Sequence, residues 1–327
     1  MRIHYTLDDS PARLPLAIRS SEGAMDRAAD LRNAPGVQLV ELTTQHMLNT
    51  GTTLVDELTD YFDNGGPSEA DPYGLALCYA NREALTDLLR DLRDLPAGLV
   101  AFAEVEALFP VTFMRELQFT MALTSVGFPA FGYVRAFKDS EGEEYYGLVV
   151  NLAQAQPHLE ASLGTYSIDL LVNMIRHGFF NHQGFLLAYG EYCESIGRKP
   201  EKLYDRLKDK LMARGIAWYL SYHHDMSFYD ETLRLNETMI GEHIAHWNKL
   251  IESSHKKGQG EDILDEWLAR PDADGLTGEL SLDVVGYMMA RTIAAEHGNK
   301  GLRDSVTKGG DYFLKLYNDL TGNKLKG

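Results

Sequence analysis

The residues best placed for metal chemistry lie on one predicted helix over residues 168–190, in the run Met174-Ile175-Arg176-His177-Gly178-Phe179-Phe180-Asn181-His182-Gln183-Gly184-Phe185. A helix that holds zinc needs two histidines four residues apart, because four residues advance about 400°, nearly back to one face. It also needs a carboxylate beside the first histidine as general base. His177 and His182 are five apart, which separates them by about 140° around a regular helix. A π-bulge, rare in general, is the one local change that would bring that pair together. His177 and Asn181 do share a face, but an amide is a weak zinc ligand beside imidazole or thiolate. Gly178 stands where the base belongs, at a cost of about 1 kcal/mol in helix propensity against alanine.

Other clusters are weaker. Tyr222-His223-His224-Asp225 places two histidines side by side. Adjacent residues on a helix point about 100° apart, so such a pair binds one ion only from a loop or a helix end. Glu242 and His246 stand four apart within Glu242-His243-Ile244-Ala245-His246, but polar surroundings predict a solvated face. Cys193 has no base in a suitable position, and neither a Gly-x-Ser-x-Gly nor a phosphate-binding glycine loop occurs.

The elements that must position these residues change period along the chain. Helices are predicted at about Thr43–Phe62, Arg82–Arg93 and Ala97–Leu108, with Asn64-Gly65-Gly66-Pro67 ending the first. Leu117, Phe119, Met121 and Leu123 then alternate with smaller or polar residues, which is strand spacing. Phe131–Phe137 and Tyr145–Leu152 follow as strands, joined by the polar stretch 138–143 as in a hairpin. After Pro157 the three- and four-residue periods return: Ile168 to Tyr189, Leu203 to Trp218, Phe228 to His255, Asp283 to His297 and Asp311 to Leu320. Helices, then a small antiparallel sheet, then helices is an α+β order, expected as a helical region over 1–110 and a second domain over 111–327.

Composition narrows the partners. With Lys+Arg 31 against Asp+Glu 48, a formal net charge of −17 argues against a nucleic-acid backbone. No apolar run approaches a membrane span, the first residues lack a secretory pattern, and two cysteines cannot frame a disulfide scaffold. A cytoplasmic protein is expected.

Three strings together resemble the gluzincin zinc metallopeptidases, over roughly residues 110–320. The strand Gly147–Leu152 runs just ahead of the helix carrying His177. Met212-Ala213-Arg214-Gly215-Ile216-Ala217-Trp218 is similar to the family's third-ligand helix, commonly E-G-x-A, and the closing segments Asp283–Met289 and Phe313–Asn318 are similar to its last helices. The resemblance places His177 at the first ligand, Gly178 at the base, Asn181 at the second ligand and Arg214 at the third. A guanidinium about 4 Å from a divalent ion meets roughly 8 kcal/mol of repulsion at an effective dielectric of 20. The resemblance therefore implies a peptidase-like protein that binds no zinc there, catalyses no cleavage, and binds a peptide or protein partner or serves a structural role. Arg214 then pairs with an acidic side chain or holds an anionic ligand, and Glu191 and Glu194 are the nearest acidic candidates on the first helix. The rival expectation is a zinc-dependent hydrolase with a rearranged site drawn from His177, His182, His223 and His224 with Glu191, Glu194 or Asp225. A helical interaction protein unrelated to peptidases is the third.

Overall fold

The structure is a computed structural model that describes residues 1–93, 102–138, 144–224, 237–255, 268–269, 277–322 and 325–327. It divides into two compact units, one formed by Arg2–Val100 and Glu116–Ile175, the other by Met1, Ala101–Arg115 and Arg176–Gly327. Each unit draws chain from both sides of residue 110. Among the described residues no helix is long and apolar enough to cross a membrane.

The first unit holds the sheet, and the fold class is α+β. Strand β1 is Arg2–Asp8, β2 is Glu116–Thr124, β3 is Gly132–Lys138 and β4 is Glu144–Asn151, in the spatial order β1-β2-β4-β3. The expected antiparallel sheet is corrected to a mixed one. Only β3 and β4 pair antiparallel, as the hairpin reading required, while β2 pairs parallel with both β4 and β1. The hairpin connection itself falls on 139–143, outside the described residues. β1 escaped the sequence reading because only Ile3 of its seven residues is buried, leaving no alternation to see. The C-terminal half of β2 is buried at every position, which fits a strand covered on both faces. One cover is the helix Pro35–Leu48, whose Leu39 and Val40 pack with Ala122 and Val149.

The helix expected over Thr43–Phe62 is two helices. Asn49 adopts φ 50 at the end of Pro35–Leu48, and Leu54–Asp63 starts afresh under a capping box made by Thr53 and Asp56. As the turn signal indicated, this second helix stops before Gly65, at φ 71.

In the second unit, His182–Ser195 packs on Leu203–Tyr222, which crosses the long helix Gly278–Lys308. The crossing is backbone against backbone: a Cβ at Gly215 would lie 2.3 Å from the Gly286 carbonyl carbon. Leu211, Ile216, Val285, Tyr287 and Phe313 form the surrounding core, all fully buried. The long helix carries one non-helical residue, Gly298 at φ 60, so the segment read as Asp283–His297 continues past a kink to Lys308.

Candidate metal centre

The run that opened the sequence reading is helical throughout but not uniform. An α-helix at Ile168–Asn173 gives way to a π-helical stretch at Met174–Asn181, then to the α-helix His182–Ser195. The rare device that could unite His177 and His182 is thus present, yet the two imidazoles take different partners. His177 Nδ1 lies 3.3 Å from Asn181 Nδ2, and the His177 ring lies 4.7 Å from that of His224. His182 Nδ1 lies 3.3 Å from Ser221 Oγ, with its ring 4.7 Å from Trp218. Burial, and then the nearby Arg214 charge, push the His182 basicity down to about 3. A neutral core histidine results.

Arg214 is committed elsewhere than expected. Its Nε donates to Asp283 Oδ1 at 2.5 Å and its Nη2 to Asp283 Oδ2 at 2.7 Å, a two-pronged pair across the glycine crossing. Glu279 stands 3.9 Å from Nη1. Glu191, the expected partner, instead receives Arg115 at 2.9 Å, and Glu194 is exposed. The error is geometric: Glu191 and Glu194 are near in sequence, but the Gly215–Gly286 contact brings a different helix to Arg214. Asp225 lies outside the described residues. The solvated face expected for Glu242–His246 is corrected too. Glu242 is exposed, but His243 and His246 are buried and their Nδ1 atoms lie 3.1 and 2.8 Å from Ser281 Oγ. Cys193 is half-buried, and burial raises its thiol pKa, the reverse of what a nucleophile needs.

Three metal-competent side chains do meet. Helix Leu203–Tyr222 ends at His223, and His224 follows in the turn, the helix-end placement that adjacent histidine ligands require. Opposite them, the short helix Ala103–Ala107 presents Glu104. His224 Nε2 is 2.9 Å from Glu104 Oε1 and His223 Nε2 is 3.5 Å from Oε2. One ligand atom from each residue falls within 4.8 Å of the others. The His223 side chain, first among the neighbours, holds the Glu104 carboxyl down at about 2, so it is an anion at every physiological pH. His177 borders the group, and burial followed by the His224 and Arg176 charges lowers its basicity to about 4.

The polar inventory around this group is incomplete. Glu104 Oε2, His223 Nδ1, Asn181 Oδ1 and Arg176 Nε are buried without a hydrogen-bond partner among the described residues. Buried polar atoms in native proteins are nearly always paired, by protein, water or ion. Two imidazoles and a carboxylate are the donor set of catalytic zinc centres and of facial-triad iron sites. His224, half exposed, leaves a path for an ion. Glu104 carried no signal in the sequence, since it lies more than a hundred residues before the histidines and reads as one acid on a helical surface. Comparison with family models, with curated proteins and with solved structures finds no match to this chain.

Proposed function

We propose that the chain is a metalloprotein that holds one divalent transition metal, zinc first among them, on Glu104, His223 and His224. The observation that carries this reading is the convergence of three donor atoms within 4.8 Å of one another, amid buried polar atoms that lack partners. Three protein donors leave a fourth tetrahedral position for water, and a zinc-bound water is acidified to near neutrality, the chemistry of a hydrolase. The carboxylate of Glu104, held in its charged form by His223, suits metal capture. Elemental analysis of the purified protein, followed by titration of the metal-free form with zinc, tests the reading. One zinc per chain is expected, lost in Glu104→Gln and in His224→Gln. Failure of the wild-type protein to take up zinc, cobalt or iron would falsify it.

A second reading has its own support. The gluzincin resemblance would put the third ligand at Arg214, which is instead paired with Asp283 through two hydrogen bonds. On this reading the chain is a peptidase-like scaffold without cleavage activity that binds a peptide or protein partner. A general peptide-cleavage assay on the zinc-loaded protein separates the two, because turnover abolished by Glu104→Gln excludes the non-catalytic scaffold.

A further inference from the structure

We propose that the first unit binds a small organic ammonium ion, a protonated amine on an apolar body, in the cleft between helix Arg82–Arg93 and the segment 152–168. The cleft encloses about 420 Å³, within the range of about 300–1,000 Å³ typical of small-molecule sites. Its floor is apolar: Leu85 and Leu88 come from the helix, Leu152 and Ala153 from the turn that follows β4, and all four are buried. Helical spacing explains the first pair. Leu85, Leu88, Leu89 and Leu92 recur at three- and four-residue steps and are buried together. The second pair is held by Asn151, whose side chain accepts from the Ala153 amide and caps the turn Leu152–Gln154. That turn leaves the carboxyl end of β4, which runs parallel to β2, and the carboxyl ends of parallel strands are where open sheets commonly take ligands.

Charge selects the occupant. Asp87 and Asp91 line one wall, four residues apart and hence on one face of their helix, and Glu160 lines the wall made by helix Ala155–Leu163. No lysine, arginine or histidine is among the described residues that line the cleft. Arg90 pairs with the two aspartates at 2.9 and 3.8 Å on an exposed surface, which eases their mutual repulsion without adding a cation to the lining. Glu160 accepts from Gln156 Nε2 through Oε1, and a carboxylate keeps capacity for further donors. Three carboxylates above a hydrocarbon floor disfavour an anion and favour a positive head group. Tyr166 adds a half-buried aromatic ring to the same lining, and an aromatic face attracts an ammonium group. A bare metal ion gains nothing from the leucines, and a neutral hydrocarbon gains nothing from the acids. An ammonium on an apolar body uses both.

The test is calorimetric titration of the full chain near neutral pH with phenethylammonium, with phenethyl alcohol as the neutral isostere and hydrocinnamate as the anion. Saturable binding of phenethylammonium is expected, with a Kd of about 1 mM or tighter, inside the per-atom limit for small ligands. The alcohol, which forfeits every ion pair, should bind about tenfold more weakly, and hydrocinnamate should not bind. Ala84 also lines the cleft and is exposed, so Ala84→Trp should fill the space and abolish binding. Asp91→Asn and Glu160→Gln, one from each wall, should each weaken the ammonium about threefold and together about tenfold, the scale of solvent-exposed ion pairs. The two walls are changed in separate proteins, so a variant that fails to fold leaves the other to decide. A chain of net charge −17 attracts any cation, and Glu83→Gln separates that background from the site. It removes a charge from the same helix outside the lining and should leave the affinity unchanged. Equal affinity for the ammonium and the alcohol overturns the proposal, as does undiminished binding by Ala84→Trp. A loss in Glu83→Gln as large as that in Asp91→Asn does the same, and so does a wild-type protein with no saturable binding of phenethylammonium.

Discussion

Two polar groups that share the helix Leu203–Tyr222 differ in how their members are paired. Around Arg214, Asp283 takes both prongs of the guanidinium, and His182 rests on Ser221 and Trp218. Glu104, His223 and His224 contact one another, and His223 Nδ1 is buried without a hydrogen-bond partner among the described residues. A satisfied network rigidifies a core, whereas an unsatisfied one carries a standing desolvation cost that a ligand relieves. The first group is an ion pair at a helix crossing, and the second is the cluster proposed to hold an ion.

The comparison can be broken most sharply with zinc. Glu104→Gln or His223→Gln should lower zinc affinity by a factor of 100 or more, measured by competition with a chromophoric chelator, because each removes one of three donors. Arg214→Leu should leave zinc affinity within twofold but cost about 3 kcal/mol in urea unfolding, since Asp283 loses its partner in a largely buried setting. An effect of Arg214→Leu on zinc with none on stability would reverse the assignment of the two groups. The pH dependence sharpens it further. His182 is protonated near 6.5 when unfolded and near 3 when folded. The unfolded chain therefore binds more protons between those values, and stability falls as pH drops through that window, by up to about 1.4 kcal/mol per pH unit. His182→Gln should flatten that limb in denaturation curves taken from pH 7 to 4. The smallest effect belongs to Glu194→Ala. This exposed carboxylate should change stability by less than about 0.5 kcal/mol, and any loss of zinc binding would show that the ligand set has been misread.

What could be read from the residues depended on whether the cause was local. β2, β3 and β4 were legible because alternation is a property of a few neighbours. Their parallel pairing was not, since β4 reaches β2 only through long-range packing, and β1 gave no pattern with one buried residue. The break at Asn49 needed a left-handed residue that asparagine tolerates but does not announce. The helix end that adjacent histidine ligands would require was legible as a condition, and His223 does close the helix Leu203–Tyr222. Glu104 and Asp283 could not be found, because each is brought to its partner by a helix crossing and not by spacing along the chain. The gluzincin likeness rested on short strings, and the acidic partner expected for Arg214 comes from a different helix, as Asp283.

The glycine crossing also has a mechanical meaning. Gly215 and Gly286 act as a fulcrum, with Arg214 and Asp283 latched beside it and His223–His224 at the far end of the same rigid rod. Eight residues of helix separate Gly215 from His223, an arm of about 12 Å. A single methyl at the fulcrum that tilted the rod by roughly 5° would swing the imidazoles by about 1 Å, several times the tolerance of a metal–ligand bond. Gly215→Ala is therefore expected to loosen an ion it never touches.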